Sequence, residues 1–179
     1  MVTAAILVAV GILIPVISPV KIQLGAMSFT LASHVAIFIA MFISPYVTLF
    51  VTLGTTVGFL FAGFPMVVVL RALSQVVFAM VGSALLKKNA DKYMGSPSKI
   101  FMFGLFVNVI HALGEVLVVT GFYFGGMAVN GTFLSYVCGL VGLGTLVHGM
   151  VDYGLSLLIW KAVYMVSSMP ASWTPKKKK

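Results

Sequence analysis

The chain has 179 residues, 61% of them hydrophobic and only 8% charged, with a mean hydropathy of +1.16. That balance excludes an ordinary soluble domain with a solvated surface and points to an integral membrane protein. Eleven Lys and Arg against three Asp and Glu give a formal net charge of +8, but the lysines fall outside the apolar segments, with Lys161 near the end of the last, so the charge reads as membrane topology and attraction to anionic lipid, with no nucleic acid as partner.

Proline, glycine and lysine breaks divide the chain into six apolar pieces. Helix 1 is predicted over 2–17; no Lys or Arg precedes it, so it reads as a span and not as a signal peptide. The segment 18–29 is polar enough for a loop, yet carries Val20, Ile22, Leu24, Met27 and Phe29, and is expected to fold back as a lid. Helices 2 (30–43) and 3 (46–62) are short for a hydrocarbon core of about 30 Å, which implies tilt or ends in a protein-lined cavity. Helices 4 (65–86), 5 (98–124) and 6 (134–166) are long enough to span. Between helices 4 and 5 lie Lys87, Lys88, Lys92 and Lys99, and Lys176 to Lys179 end the sequence.

Six spans put both termini on one face, and the lysines make that face the cytoplasm of a bacterial plasma membrane. The expectation is therefore an all-α, six-transmembrane-helix bundle forming a single membrane domain. Within it, 1–62 holds helices 1–3 with a partner-docking face, 65–166 forms a substrate cavity, and 167–179 is a basic cytoplasmic tail. Trp160 and Trp173, near that face, fit interface anchors. No phosphate loop and no soluble ATPase segment is present, and Cys138 stands alone, so neither an intrachain disulfide nor a CxxC site is available.

Small residues repeat at four-residue spacing in Ala5-x3-Ala9, Ala32-x3-Ala36-x3-Ala40, Gly54-x3-Gly58 and Gly121-x3-Gly125. Such faces admit close helix approach, either inside the bundle or against a partner.

Ionisable side chains inside a span cost at least about 2.5 kcal/mol at its centre, so each is a functional candidate. On helix 4, Arg71 and Gln75 share a face. On helix 5, Asn108, His111 and Glu115 confine themselves to an arc of about 60°. Helix 6 repeats the pattern with Thr145, His148 and Asp152, extended by Ser156. Three stripes on successive long helices can converge on one cavity, with Tyr136 and Tyr123 near its mouth as candidates for stacking on a ring. Arg71 suits a ligand carboxylate through paired N–H groups. If Arg71 instead pairs with Glu115 or Asp152, that argument falls. His34, on short helix 2 away from the stripes, reads as mainly structural. His111, Glu115, His148 and Asp152 are possible metal ligands by type, but no helix carries a recognised spacing such as HExxH, and no metal or cofactor is expected.

A chain of this length with six helices, Ala5-x3-Ala9 on a short helix 1, a foldable loop before helix 2, the run Ser28-Phe29-Thr30-Leu31-Ala32-Ser33-His34, then Ile43-Ser44-Pro45, and a polar cavity among helices 4–6 resembles the substrate-binding S components of energy-coupling factor (ECF) vitamin transporters. The resemblance implies that Ala5 and Ala9 contact a coupling membrane subunit, which carries two ATPases. It also implies that Arg71, Asn108, His111, Glu115 and His148 face a small water-soluble vitamin under the first loop, and the stripe reading adds Gln75, Tyr136 and Asp152 to the expected binding residues. Arg71 favours nicotinate, then pantothenate; Glu115 and Asp152 favour amino or hydroxyl groups instead. The chain would be no enzyme. The competing reading is a stand-alone proton-coupled carrier for a small polar solute.

Overall fold

The structure, a computed structural model, describes residues 2–18, 21–24, 26–167 and 169–175. Pro19, Val20 and Gly25 of the predicted lid and Lys176–Lys179 of the predicted tail lie outside the described residues. The elements are α1 (Val2–Ile17), β1 (Lys21–Leu24), β2 (Met27–Thr30), α2 (Val35–Ile43), α3 (Pro45–Phe61), α4 (Met66–Met94), α5 (Pro97–Phe124), a π-helical stretch (Leu134–Leu143) and, continuous with it, α6 (Gly144–Ser167). Three helical segments, Met66–Met94, Pro97–Phe124 and Leu134–Val166, are long and apolar enough to cross a membrane; Val2–Ile17 and Pro45–Phe61 are shorter apolar helices.

Local chemistry sets the boundaries. Ser44 and Ser96 each cap a helix whose first residue is proline, their hydroxyls accepting from Val47 N at 3.3 Å and Lys99 N at 3.4 Å. Proline loses nothing there, because the first helical N–H has no partner within the helix. α3 ends in a Schellman turn: Gly63, at φ +75°, donates to Leu60 O and Phe64 donates to Phe59 O. Gly126, at φ +91°, closes α5 in the same way.

Two bounds differ from the sequence expectation. α2 begins at Val35 and not at 30, because Met27–Thr30 pairs antiparallel with Lys21–Leu24, Lys21 opposite Thr30 and Leu24 opposite Met27. α4 continues through the lysines to Met94, with a break in helical geometry at Asn89 (φ −163°, ψ 86°). Lysine is a good helix former, so charge there ends the apolar span without ending the helix.

The small-residue faces divide between uses. Gly54 and Gly58 of α3 lie under Val8 and Ile12 of α1, and a Cβ on Gly58 would meet Ile12 O at 2.5 Å. This face serves packing within the bundle. Ala36 and Ala40 are likewise buried. Ala5 and Ala9 of α1 are exposed. Thr48, Thr52, Thr55 and Thr56 of α3 bond the carbonyl four residues back, which removes their hydroxyls from the apolar surroundings.

The interior has two apolar cores, separated along the long helices. One gathers Phe38, Met41, Phe42, Phe78, Leu86, Phe103, Val107, Tyr153 and Trp160. The other gathers Ala26, Phe59, Val68, Ala72, Val119, Tyr136, Val137 and Val141. Trp160 is fully buried in the first, with its ring 6.0 Å from Phe42 and its Nε1–H donating to Trp173 O at 3.3 Å. It is a core residue, which corrects its expected place at the membrane interface. Segment 169–175 folds back over this end: Ser172 N and Trp173 N donate to Ile43 O and Phe42 O, the free carbonyls at the end of α2.

Candidate functional site

Between the two cores, on the three long helices, lies a polar layer: Arg71 and Gln75 on α4, His111 and Glu115 on α5, and Thr145, His148 and Asp152 on α6, all buried. The three stripes do converge. The turn before α2 adds Thr30, Ser33 and His34, also buried.

Glu115 organises one half. Its Oε2 accepts from Arg71 Nε at 3.1 Å, Arg71 Nη2 at 2.5 Å and the Thr145 hydroxyl at 2.5 Å, while Oε1 faces His111 Nε2 at 3.1 Å. Arg71 Nη1 donates to Ala26 O at the tip of the hairpin, and Ala26 N donates to the Tyr136 hydroxyl at 2.6 Å. The structure thus makes the Arg71–Glu115 ion pair, and the carboxylate argument drawn from a free Arg71 falls with it. Three of the five guanidinium N–H groups are engaged, which leaves two.

Asp152 organises the other half. Its Oδ2 accepts from His34 N at 3.0 Å and lies 3.0 Å from His34 Nδ1, and its Oδ1 accepts from Ala32 N at 3.1 Å. His34 Nε2 is 3.1 Å from Gln75 Nε2. The His34 ring stands 4.6 Å from that of His111 and 4.8 Å from that of His148. His34 is therefore the junction of the polar layer, which corrects its reading as a side chain apart from the stripes.

A cavity of about 20 Å³ opens among Met27, Ser28 and Thr30 of β2, Ser33 and His34, Phe59, Arg71, Gln75, Glu115, Thr145 and His148. That is room for about one water. The hairpin covers it, with Ala26 fully buried. Three buried atoms on its lining have no hydrogen-bond partner among the described residues, namely Thr30 Oγ1, Gln75 Oε1 and His148 Nδ1. Buried polar atoms are nearly always paired, so such a group on a cavity wall is where a ligand finds its contacts.

Of the stripe residues singled out in the sequence, Arg71, Gln75, Glu115, Thr145 and His148 line the cavity. His111 and Asp152 stand behind them, and Tyr136 holds the hairpin tip. Asn108 lies apart, its amide bonded to Gly104 O at 2.9 Å and to Met150 Sδ at 3.6 Å. Tyr123 packs on Phe124 and Phe133, each 5.5 Å away, at the far end of α5. Met27, Ser28, Thr30, Ser33 and Phe59 enter the site without having been singled out; the polar run Ser28 to His34 just before an apolar helix was the available signal.

No family model and no solved structure matches the chain. Among curated proteins it is 43% identical, over 159 residues, to the niacin transporter NiaX of Lactococcus lactis subsp. cremoris, a match that covers 88% of this chain and 71% of that protein. With a polar cavity buried between two apolar cores and an identity of this size over most of its length, the chain belongs to the niacin-transporter family of ECF-type S components, membrane proteins of vitamin uptake.

Proposed function

We propose that this chain is the high-affinity capture subunit of an ATP-driven ECF importer, with nicotinate as its vitamin and pantothenate next. The observation that carries the reading is the covered cavity with its unpartnered Thr30, Gln75 and His148 atoms. The name of the Lactococcus relative supports niacin as the ligand. Gln75, Ser33, Thr30 and His148 offer hydrogen bonds to a ring nitrogen and a carboxylate. Phe59 and Met27 supply apolar contact for a flat ring.

At about 20 Å³ the cavity takes a pyridine ring only when the hairpin shifts, so segment 18–29 acts as the lid. In this reading the bundle has six spans and cytoplasmic termini, and helix 1 docks through Ala5 and Ala9 on a coupling subunit that carries two ATPases. The chain itself performs no catalysis.

Calorimetric titration of the detergent-solubilised protein with nicotinate, nicotinamide, pantothenate and pyridoxine tests this. Tight binding of nicotinate that is lost in Gln75→Ala and His148→Ala is the expected result. Solute movement by the chain alone in liposomes would replace this reading with the stand-alone carrier.

A further inference from the structure

At the back of the cavity four ligating atoms form a closed ring. Ser33 Oγ lies 3.2 Å from both His34 Nδ1 and His148 Nε2. Asp152 Oδ2 lies 3.0 Å from His34 Nδ1 and 3.5 Å from His148 Nε2. The ligating atoms of His34, His148 and Asp152 fall within 4.8 Å of one another. Four donors placed tetrahedrally about 2.1 Å from a zinc-sized ion stand about 3.4 Å apart, and the four distances around this ring, 3.0 to 3.5 Å, lie close to that spacing.

Charge points the same way. Asp152 is fully buried, and among the described residues no lysine or arginine bonds to it, since Arg71 faces Glu115. A buried carboxylate is costly without a compensating cation. The supports of a metal site are also present. Backbone N–H groups of Ala32 and His34 orient the carboxylate, and Gln75, with its amide turned so that Oε1 takes the place of Nε2, accepts from the far N–H of a metal-bound His34.

A second group, His34, His111 and Glu115, also lies within 4.8 Å. Its carboxylate, however, is neutralised by Arg71 and hydrogen-bonded by Thr145.

We propose that Ser33, His34, His148 and Asp152 bind one divalent transition-metal ion of the zinc, cobalt or nickel class. Two imidazoles, one carboxylate and a hydroxyl suit those ions better than magnesium or calcium, which take all-oxygen shells. Metal binding does not depend on the vitamin reading. Resting on that reading is one further step: because Ser33, His34 and His148 line the cavity, a ligand carboxylate or ring nitrogen displaces the weak Ser33 hydroxyl from the ion.

The test is a cobalt(II) titration of the full-length, tag-free protein in detergent, followed by visible absorption. The expected result is one ion per chain with the intense d–d bands of tetrahedral cobalt, displaced by zinc. His148→Gln should weaken it by at least about 100-fold, the top of the range for outer-shell changes, and Asp152→Asn likewise. His111→Gln should leave it within a few-fold of wild type. Folded wild-type protein without stoichiometric tetrahedral bands, or bands retained in His148→Gln, overturns the proposal. Nicotinate titrated into the same samples keeps the two readings apart: nicotinate binding without cobalt defeats the metal site alone, and cobalt binding without nicotinate defeats the choice of vitamin alone.

Discussion

Asp152 Oδ2 meets His34 twice, at its backbone N–H and at its ring Nδ1, both at 3.0 Å. The other oxygen accepts from Ala32 N at 3.1 Å. One carboxylate on α6 therefore fixes the turn that starts α2, at a place where His34 supplies no side-chain cap of its own. It also holds Ala32 at φ 66°, the one left-handed residue other than glycine among those described. The hairpin, α2 and α6 are tied together at the cavity by this single side chain.

Replacing Asp152 by alanine strips partners from the buried His34 N–H and the half-buried Ala32 N–H and leaves the His34 ring nitrogen with Ser33 Oγ. At about 1–3 kcal/mol for each such group left unpaired, the loss should reach at least about 2 kcal/mol and appear as a lower thermal midpoint in detergent. Ala32→Gly acts in the opposite direction. Glycine adopts positive φ without the Cβ penalty, so this variant should be neutral or gain up to about 1 kcal/mol. A destabilised Ala32→Gly with an unaffected Asp152→Ala would show that the turn is held by something else.

The Arg71–Glu115 pair calls for a double-mutant cycle. Both side chains are buried, and removing one partner strands the other, at a cost of about 3–5 kcal/mol. Arg71→Met and Glu115→Gln should each lower the thermal midpoint. The double variant should lie closer to wild type than either single. Additive losses across the cycle would mean that the two groups do not depend on each other.

Much of this fold was legible in the sequence because its signals are local. Ser44-Pro45 and Ser96-Pro97 mark helix starts by chemistry confined to four residues, and the stripes on α4, α5 and α6 follow from helical spacing. What was illegible depends on which helix stands beside which. His34 carries no spacing relation to His148 or Asp152, more than a hundred residues away, and becomes the centre of the site only when the turn before α2 meets α6. Arg71 could have faced a ligand or an acid, and only the meeting of α4 with α5 decides for Glu115. Trp160 sits among the last residues before lysine, yet the inner face of α6 carries it into the core.

Two glycine pairs of the same spacing should respond differently to substitution. A Cβ on Gly58 would lie 2.5 Å from Ile12 O and 2.7 Å from Ile12 Cα, both backbone atoms that cannot yield without moving α1. Gly58→Leu should therefore cost at least about 1–3 kcal/mol through overpacking. Gly121 has nothing within 4 Å of its Cβ position, so Gly121→Ala should leave stability unchanged or raise it by about 1 kcal/mol through helix propensity. Thermal midpoints of the two variants, measured side by side, check the assignment of the Gly54–Gly58 face to α1.

The remaining small face separates capture from delivery. α1 turns Val8, Gly11 and Ile12 toward α3 and leaves Ala5 and Ala9 exposed beside Ile6 and Leu13. Ala5 and Ala9 are exposed, and the cavity is formed by other elements. Close approach of a partner helix, by contrast, needs small residues at the contact. On the proposed docking role, Ala5→Trp and Ala9→Trp should bind nicotinate within about twofold of wild type. Uptake in vesicles carrying the coupling subunit and both ATPases should fall by about tenfold or more, equivalent to about 1.4 kcal/mol lost at the interface. Wild-type uptake by both variants would refute docking through this face, and weakened vitamin binding would show that α1 supports the cavity instead.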